Sequence, residues 1–161
     1  MSVNVHQPHV IVLVEDRADE KIANGFLLDP SVKQRNIQVL RPSGGWSKVL
    51  DSFLKDHVAG LRKWAGRHLV LLIDFDGKIE SRTERFASQF PEDVRDRVFL
   101  LGTRGEPEQL RKQYGDSLEK AGKQLAGECY REETDLWNHA LLAHNLAERA
   151  RLNAKVRSII F

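Results

Sequence analysis

The chain has 161 residues, the size of one ordinary domain, with 25 Lys and Arg side chains against 23 Asp and Glu. This near balance neither favours nor excludes a nucleic-acid partner, while the single cysteine, Cys129, excludes an intrachain disulfide and indicates a reducing compartment. Residues 1–7 show no signal-peptide pattern, and no apolar run has the length of a membrane span. We therefore expect a cytoplasmic protein with no membrane partner.

The first part of the chain alternates short apolar runs with amphipathic helical patterns. The apolar runs are typical of strands buried on both faces, and they cover residues 9–14, 37–40, 68–73 and 98–101. Helical patterns lie between them, at residues 19–28, 47–64 and 81–90. This alternation predicts an α/β fold with a parallel, doubly wound sheet of about four strands flanked by helices.

The chain changes character after Pro107, where three further helices are predicted. We expect them at residues 110–114, 118–130 and 135–157, the last beginning near Asp135 as an N-cap. Residues 159–161 predict either a small final strand or a segment packed against the core. Because no linker is visible, we expect residues 1–112 to form an α/β core and residues 113–161 a helical extension packed on the same domain.

Acidic residues follow three of the four predicted strands. They are Glu15 and Asp19 after the first strand, Asp74 and Asp76 after the third, and Glu106 and Glu108 after the fourth. Ligand sites of open α/β sheets lie outside the carboxyl ends of the strands, so we expect these carboxylates at one edge of the sheet. Clustered carboxylates repel one another unless a cation neutralises them, and hard oxygen ligands suit Mg²⁺.

The three acidic pairs are not equally informative. Asp74 and Asp76 are two residues apart, which on a strand places both side chains on the same face and favours a divalent cation over a cap and a turn. Asp19 is equally well explained as a partner of a helix dipole. Glu106 and Glu108 flank Pro107 at a helix start, so for them a dipole role and a metal role are equally open.

Candidate groups for binding phosphate lie near the same strand ends. Gly44 and Gly45 follow the second strand and allow the backbone to approach a ligand closely. Three cations, Lys48, Lys78 and Arg104, are placed to steady a negative phosphate. There is no Walker A pattern, no G-x-G-x-x-G, no H-E-x-x-H and no G-x-S-x-G, so neither nucleotide hydrolysis nor serine hydrolase chemistry is predicted.

Two known families share part of this pattern. Asp74-Phe75-Asp76-Gly77-Lys78 resembles the first motif of haloacid-dehalogenase-type phosphatases, but that motif lies on their opening strand and has Thr where this chain has Lys78. Glu15 and Asp16, followed by Asp74 and Thr103, resemble the acid pair, phospho-acceptor and switch residue of a response-regulator receiver. The fifth strand of a receiver and its Lys-Pro are missing from this chain.

The Toprim domain, found in topoisomerases, bacterial primases and several nucleases, gives the best match. Its order of motifs is a Glu after the first strand, a Gly-containing turn after the second and Asp-x-Asp after the third. This chain resembles it over about residues 8–112, through Glu15 with Asp19, then Gly44-Gly45, then Asp74-Phe75-Asp76. The first acid pair and a later Glu before a helix most resemble the branch of overcoming-lysogenization-defect (OLD) nucleases. Asp16 stands where the family commonly has Gly.

The resemblance implies a metal-dependent nuclease acting on DNA or RNA. It implies catalytic roles for Glu15, Asp74 and Asp76, with Mg²⁺ or Mn²⁺ held by those three residues and by Asp19, Glu106 and Glu108. A second hypothesis is an accessory subunit, non-catalytic or active only conditionally, since relatives of this branch often work with an ATPase and this chain has no ATPase motif of its own. A third is a receiver-like signalling module.

Overall fold

Four parallel strands form a single open sheet. The structure is a computed structural model that describes residues 2–113 and 117–161. The strands are β1 (His9–Val14), β2 (Ile37–Val39), β3 (Arg67–Asp74) and β4 (Val98–Thr103). Their order is β2-β1-β3-β4, and every pairing is parallel. The predicted fold class is confirmed as an α/β, Rossmann-like arrangement, because continuous apolar runs can be buried only where both faces of the sheet are covered.

In the described part of the chain, seven α-helices cover the sheet or pack on its outer layers. They are α1 (Arg17–Phe26), α2 (Trp46–Ser52), α3 (Val58–Lys63), α4 (Ile79–Ala87), α5 (Glu108–Gln113), α6 (Leu118–Arg131) and α7 (Leu146–Ile160). One π-helical turn, Phe53–His57, joins α2 to α3, so the helix predicted at residues 47–64 is continuous but not regular. The helix predicted at residues 110–114 corresponds to α5, and its predicted last residue, Tyr114, lies outside the described residues. None of the described helices is long and apolar enough to cross a membrane.

Side chains alternate between the two faces of the sheet, as the period of a strand requires. Ile11 and Leu13 of β1 pack with α2, α3 and α4, where Phe53 and Phe86 are fully buried. The neighbouring β1 residues, Val10, Val12 and Val14, pack with α1 and α7 on the opposite face. Both faces are therefore part of the core, and only the ends and edges of the strands remain for polar groups.

Helices α1 and α6 cross at glycines. A Cβ on Gly122 would lie 2.0 Å from the carbonyl oxygen of Ile22, and a Cβ on Gly25 would lie 2.0 Å from that of Glu119. Both distances are far below van der Waals contact, so only glycine allows this approach. The close crossing fixes α1, which carries Asp19, against the helical extension.

Side chains of α7 and the turn before it bind the free edge of β4. Asn145 accepts from the N–H of Gly102 at 3.1 Å and donates to its carbonyl at 2.8 Å. Glu148 accepts from the N–H of Leu100 at 3.0 Å, and Arg151 donates to the carbonyl of Val98. These contacts satisfy backbone groups that an edge strand would otherwise expose.

The helix predicted from Asp135 is wrong in its first half, because α7 begins only at Leu146. Helix α6 ends at Arg131, and the residue after it, Glu132, has a left-handed backbone with φ 60°. The buried carboxylate of Glu128 then accepts hydrogen bonds from the backbone N–H groups of Leu136 and Trp137. These tertiary contacts hold the segment as turns despite its helix-favouring composition.

The last residues extend α7 and pack against the core. Ile159 and Ile160 end α7, and the ring of Phe161 lies 6.2 Å from that of Phe26 and 5.5 Å from that of Tyr130. Of the two alternatives for residues 159–161, the packed segment is confirmed and the strand is not.

Candidate functional site

Glu15 and Asp74 meet at the carboxyl ends of the two central strands. Glu15 follows β1 directly, and its Oε2 accepts a 2.7 Å hydrogen bond from the backbone N–H of Asp74, the last residue of β3. The N–H of Glu15 donates to the carbonyl of Leu72 at 3.0 Å, which continues the pairing of β1 with β3. The structure therefore brings these two predicted site residues together.

Asp76 reaches Asp74 through a turn rather than along a strand. Strand β3 ends at Asp74, and Asp76 has a left-handed backbone with φ 49°. Its N–H donates to Oδ1 of Asp74 at 2.9 Å, and Gly77 follows with φ 74°. The expectation that the two acids share one face of a strand is wrong, because the strand stops at the first of them. A side-chain hydrogen bond to the backbone holds the pair together instead.

Arg82 supplies a positive charge that the sequence did not reveal. It is only 8% exposed, and its Nη1 donates to the carbonyl oxygen of Asp74 and to Oδ2 of Asp76, both at 2.9 Å. Its guanidinium also stacks over the ring of Trp46, 4.4 Å from the centroid. The only signal for Arg82 was its position one turn into the helix that follows Asp76. The site thus contains a fixed cation that already holds one oxygen of Asp76.

Negatively charged groups are close together at this edge, and they add to the effect of burial on the pKa values of Glu15 and Asp74. Burial raises the pKa of Glu15, and the charges of Asp16, Asp74 and Asp76 raise it further. Burial also raises the pKa of Asp74, with the charges of Asp76 and Asp16 acting in the same direction. Ionising these carboxylates together is therefore costly in the absence of an added cation.

The charges of Glu15 and Asp74 act on Asp19, but its side chain is buried away from solvent. It is 0% exposed, and neither carboxylate oxygen has a hydrogen-bond partner among the described residues. Burial, followed by the charges of Asp16, Glu15 and Asp74, raises the pKa of Asp19 to about 9. Its carboxyl lines a largely apolar cavity of about 110 Å³ between the sheet and the helices α1, α6 and α7. The raised pKa favours the protonated, neutral form of Asp19 at neutral pH.

The glycine loop after β2 contacts the first acid of the site. The N–H of Gly44 donates to the carbonyl of Glu15 at 2.9 Å, and Gly44 and Gly45 have φ values of 95° and 155° that favour glycine. Lys48 folds over this loop, with Nζ 3.7 Å from the position that a Cβ on Gly44 would occupy. One predicted phosphate-binding cation therefore lies on the β2 side of the acids.

The other two cations lie on the β4 side. Lys78 precedes α4, Arg104 follows β4, and both side chains are exposed. The N–H of Gly77 donates to the carbonyl of Arg104 at 2.6 Å, which joins the two loops that carry them. Across the strand order β2-β1-β3-β4, the acids are thus flanked by cations on both sides.

Glu106 and Glu108 are not brought into this group. Glu108 is the first residue of α5 and pairs with Arg111 at 3.4 Å, where both side chains are about half exposed. Glu106 is exposed, and its carbonyl accepts from the N–H of Gln109. The contacts given for these two acids are those of a helix start.

The donor chemistry of the edge suits a hard divalent cation, although the ligands are not assembled around one point. Among residues 2–113 and 117–161, no group of three or more His, Cys, Asp or Glu side chains is placed to hold a metal ion. The oxygens of Asp19 nevertheless have no hydrogen-bond partner in the described part of the chain, and the pKa values of Glu15 and Asp74 are raised by burial and by neighbouring negative charges. Oxygen donors of this kind are the ones that Mg²⁺ and Mn²⁺ prefer.

Comparison with known proteins gives no relative. No protein-family model, no curated protein and no solved structure matches the chain.

Proposed function

We propose that this protein is a metal-dependent nuclease that cleaves phosphodiester bonds in DNA or RNA. The observation that carries the proposal is the contact of Glu15 with Asp74, and of Asp74 with Asp76, at the carboxyl edge of a parallel sheet. Their negative charges lie between cations on the β2 and β4 sides. Repelling carboxylates bordered by cations suit a divalent ion and the phosphate that it binds.

The residues of the edge have distinct parts in this proposal. Glu15, Asp74 and Asp76 would hold Mg²⁺ or Mn²⁺, and Asp19 would join them only after losing its proton. A bound ion of this type polarises a phosphoryl oxygen and lowers the pKa of a bound water. Because burial and neighbouring negative charges raise its pKa, Glu15 is a stronger proton acceptor than an ordinary carboxylate. Arg82 orients the Asp74–Asp76 turn through two hydrogen bonds.

Two sequence-level features agree with this proposal. The order of Glu15, the Gly44–Gly45 turn and Asp74-x-Asp76 resembles a Toprim domain, and in this fold all three follow consecutive parallel strands. The near-zero net charge does not oppose it, because the cations that would contact phosphate are concentrated at one edge of the sheet.

The test is cleavage of supercoiled plasmid and of a structured RNA with Mg²⁺ or Mn²⁺. We expect Asp74→Ala to lower the rate to about 1% of wild type or less, the scale of loss when a group that acts in the transition state is removed. Glu92→Ala, which removes an exposed acid between α4 and β4, on the side of the amino ends of the strands, should cleave normally. Equal cleavage by the wild type and Asp74→Ala would show that the proposal is wrong.

The position of Thr103 favours a second candidate, a receiver-like signalling module. Thr103 pairs with Asp74 in the register of β3 and β4, is 2% exposed, and its hydroxyl has no hydrogen-bond partner in the described part of the chain. A phosphorylated Asp74 would offer that hydroxyl an acceptor. Acetyl phosphate labelling, followed by mass spectrometry of the Asp74 peptide, tests this candidate. An unlabelled Asp74 would exclude it.

A further inference from the structure

A polar cleft of about 420 Å³ opens next to the acidic edge, on its β4 side. Its walls are the turn and first residues of α4, the loop after β4 and the turn before α7. The lining residues are Gly77, Lys78, Ile79, Glu80, Ser81, Arg104 and His144. Gly77 directly follows Asp76, so the cleft begins where the acidic group ends.

The two cations of the cleft, Lys78 and Arg104, are not used in ion pairs within the described part of the chain, and both are exposed. Other arginines are used by the fold: Arg82 binds Asp76, and Arg151 binds the edge of β4. Two unpaired cations from separate loops, held together by the bond between Gly77 and Arg104, are available to an anionic ligand.

The backbone adds donors on the same side. Helix α4 has nine residues, and no side chain caps its N-terminus, so its first N–H groups point out of the helix without an intrahelical acceptor. Partial positive charge at a helix N-terminus adds to that of Lys78 and Arg104. One opposing charge, Glu80, also lines the cleft. His144 contributes the edge of a ring packed 5.1 Å from that of Phe75, and its nitrogens are enclosed.

We propose that this cleft binds a backbone phosphate of a nucleic-acid strand, next to the phosphate that is cleaved. The inference rests on the proposed nuclease function and extends it, because it gives the strand a path across the sheet edge. That path runs from Lys48 at β2, over Glu15 and Asp74, to Lys78 and Arg104 at β3 and β4. A phosphate in the cleft holds the next linkage over the carboxylates, which by themselves repel it.

The experiment measures binding without metal, so that it does not depend on cleavage. A fluorescein-labelled single-stranded 12-nucleotide probe is titrated in EDTA at several salt concentrations, using fluorescence anisotropy. For Lys78→Ala/Arg104→Ala we expect Kd to rise about tenfold or more, and the slope of log Kd against log salt to fall by about 1. The wild type should also prefer this probe to an uncharged methylphosphonate strand of the same sequence, and the double variant should lose most of that preference.

The matched control removes two exposed cations from the opposite edge of the sheet. Lys33→Ala/Arg35→Ala changes the net charge equally, but these residues precede β2 at the amino ends of the strands, and we expect Kd within twofold of wild type. Glu80→Gln should tighten binding two- to threefold, which a loss of folding cannot imitate. Equal losses in the two double variants, unchanged affinity in Glu80→Gln, or no binding by the wild type would each overturn the inference. Binding with this pattern but without cleavage would contradict only the nuclease.

Discussion

Two carboxylates of this protein are buried to the same degree but are treated by the fold in opposite ways. Glu128 is 1% exposed and accepts hydrogen bonds from the N–H groups of Leu136 at 2.8 Å and Trp137 at 3.2 Å, and from the amide of Gln124. Asp19 is 0% exposed and has no hydrogen-bond partner among the described residues. The carboxylate of Glu128 holds a loop through its hydrogen bonds, whereas the carboxyl of Asp19 binds no neighbouring group in the described part of the chain.

The difference separates structural acids from candidate functional ones. A buried carboxylate that is fully hydrogen-bonded contributes to stability, while an unpartnered one costs free energy that some other benefit must offset. Asp19 lies beside Glu15 and Asp74, whose pKa values are raised by burial and by neighbouring negative charges. The carboxyl edge is thus where this fold leaves carboxyl groups that repel one another, and the proposed cation would relieve that repulsion.

The largest effect is expected at the structural acid. Glu128→Ala leaves the N–H groups of Leu136 and Trp137 buried without acceptors, and each such loss costs about 1–3 kcal/mol. We expect the free energy of unfolding, measured by urea denaturation, to fall by about 3–5 kcal/mol once the emptied volume is included. The control Glu92→Ala, at an exposed position, should change it by less than about 0.5 kcal/mol. A loss of similar size in both variants would remove the contrast with Asp19.

For Asp19→Asn we expect the main change in the pH dependence of stability, because no hydrogen bond from a described residue to its carboxyl is lost. The folded pKa of Asp19, about 9, lies above its unfolded value, so between pH 4 and 9 the native state binds a proton that the unfolded state has released. Wild-type stability in EDTA should therefore fall as pH rises, by up to about 1.4 kcal/mol per pH unit. Over pH 7 to 8.5 that is about 2 kcal/mol at most.

The variant should lose most of this pH dependence. The pKa values of Glu15 and Asp74 are also raised, so any contribution from them acts in the same direction. Urea denaturation of both proteins at pH 7, 7.75 and 8.5 measures the two slopes. Identical slopes for the wild type and Asp19→Asn would mean that Asp19 is ionised in the folded protein, and the contrast with Glu128 would then disappear.

The positions of the strands and of the strand-end acids were predictable, whereas the contacts that govern their chemistry were not. A run such as Val10 to Val14 is typical of a strand buried on both faces, and its end places Glu15 at the carboxyl edge. The burial of Asp19 depends on how closely α6 approaches α1, which is decided by glycines almost a hundred residues apart, Gly25 and Gly122. No local pattern carries that information.

The hydrogen-bond partners of Arg82 and Glu128 could not be predicted from the sequence for the same reason. The pairing of Arg82 with Asp76 requires the left-handed turn at Asp76, and spacing alone predicted a strand there. The segment from Asp135 has helix-forming residues, but the N–H groups of Leu136 and Trp137 donate to the carboxylate of Glu128 instead of to a helix backbone. In both cases hydrogen bonds between residues six to nine positions apart outweigh a local propensity of a few tenths of a kcal/mol per residue.

The smallest effect expected is the response to a divalent cation, which would act on the unbalanced acids and not on Glu128. At a Mn²⁺ concentration ten times its Kd, binding to the folded state alone adds about 1.4 kcal/mol, which for a domain of this size raises Tm by about 3–6 °C. Asp74→Asn should abolish the rise, because it removes a charge at the centre of the edge, while Glu92→Gln should keep it. An equal rise in Asp74→Asn would place the cation elsewhere and leave the unpartnered carboxyl of Asp19 unexplained by metal binding.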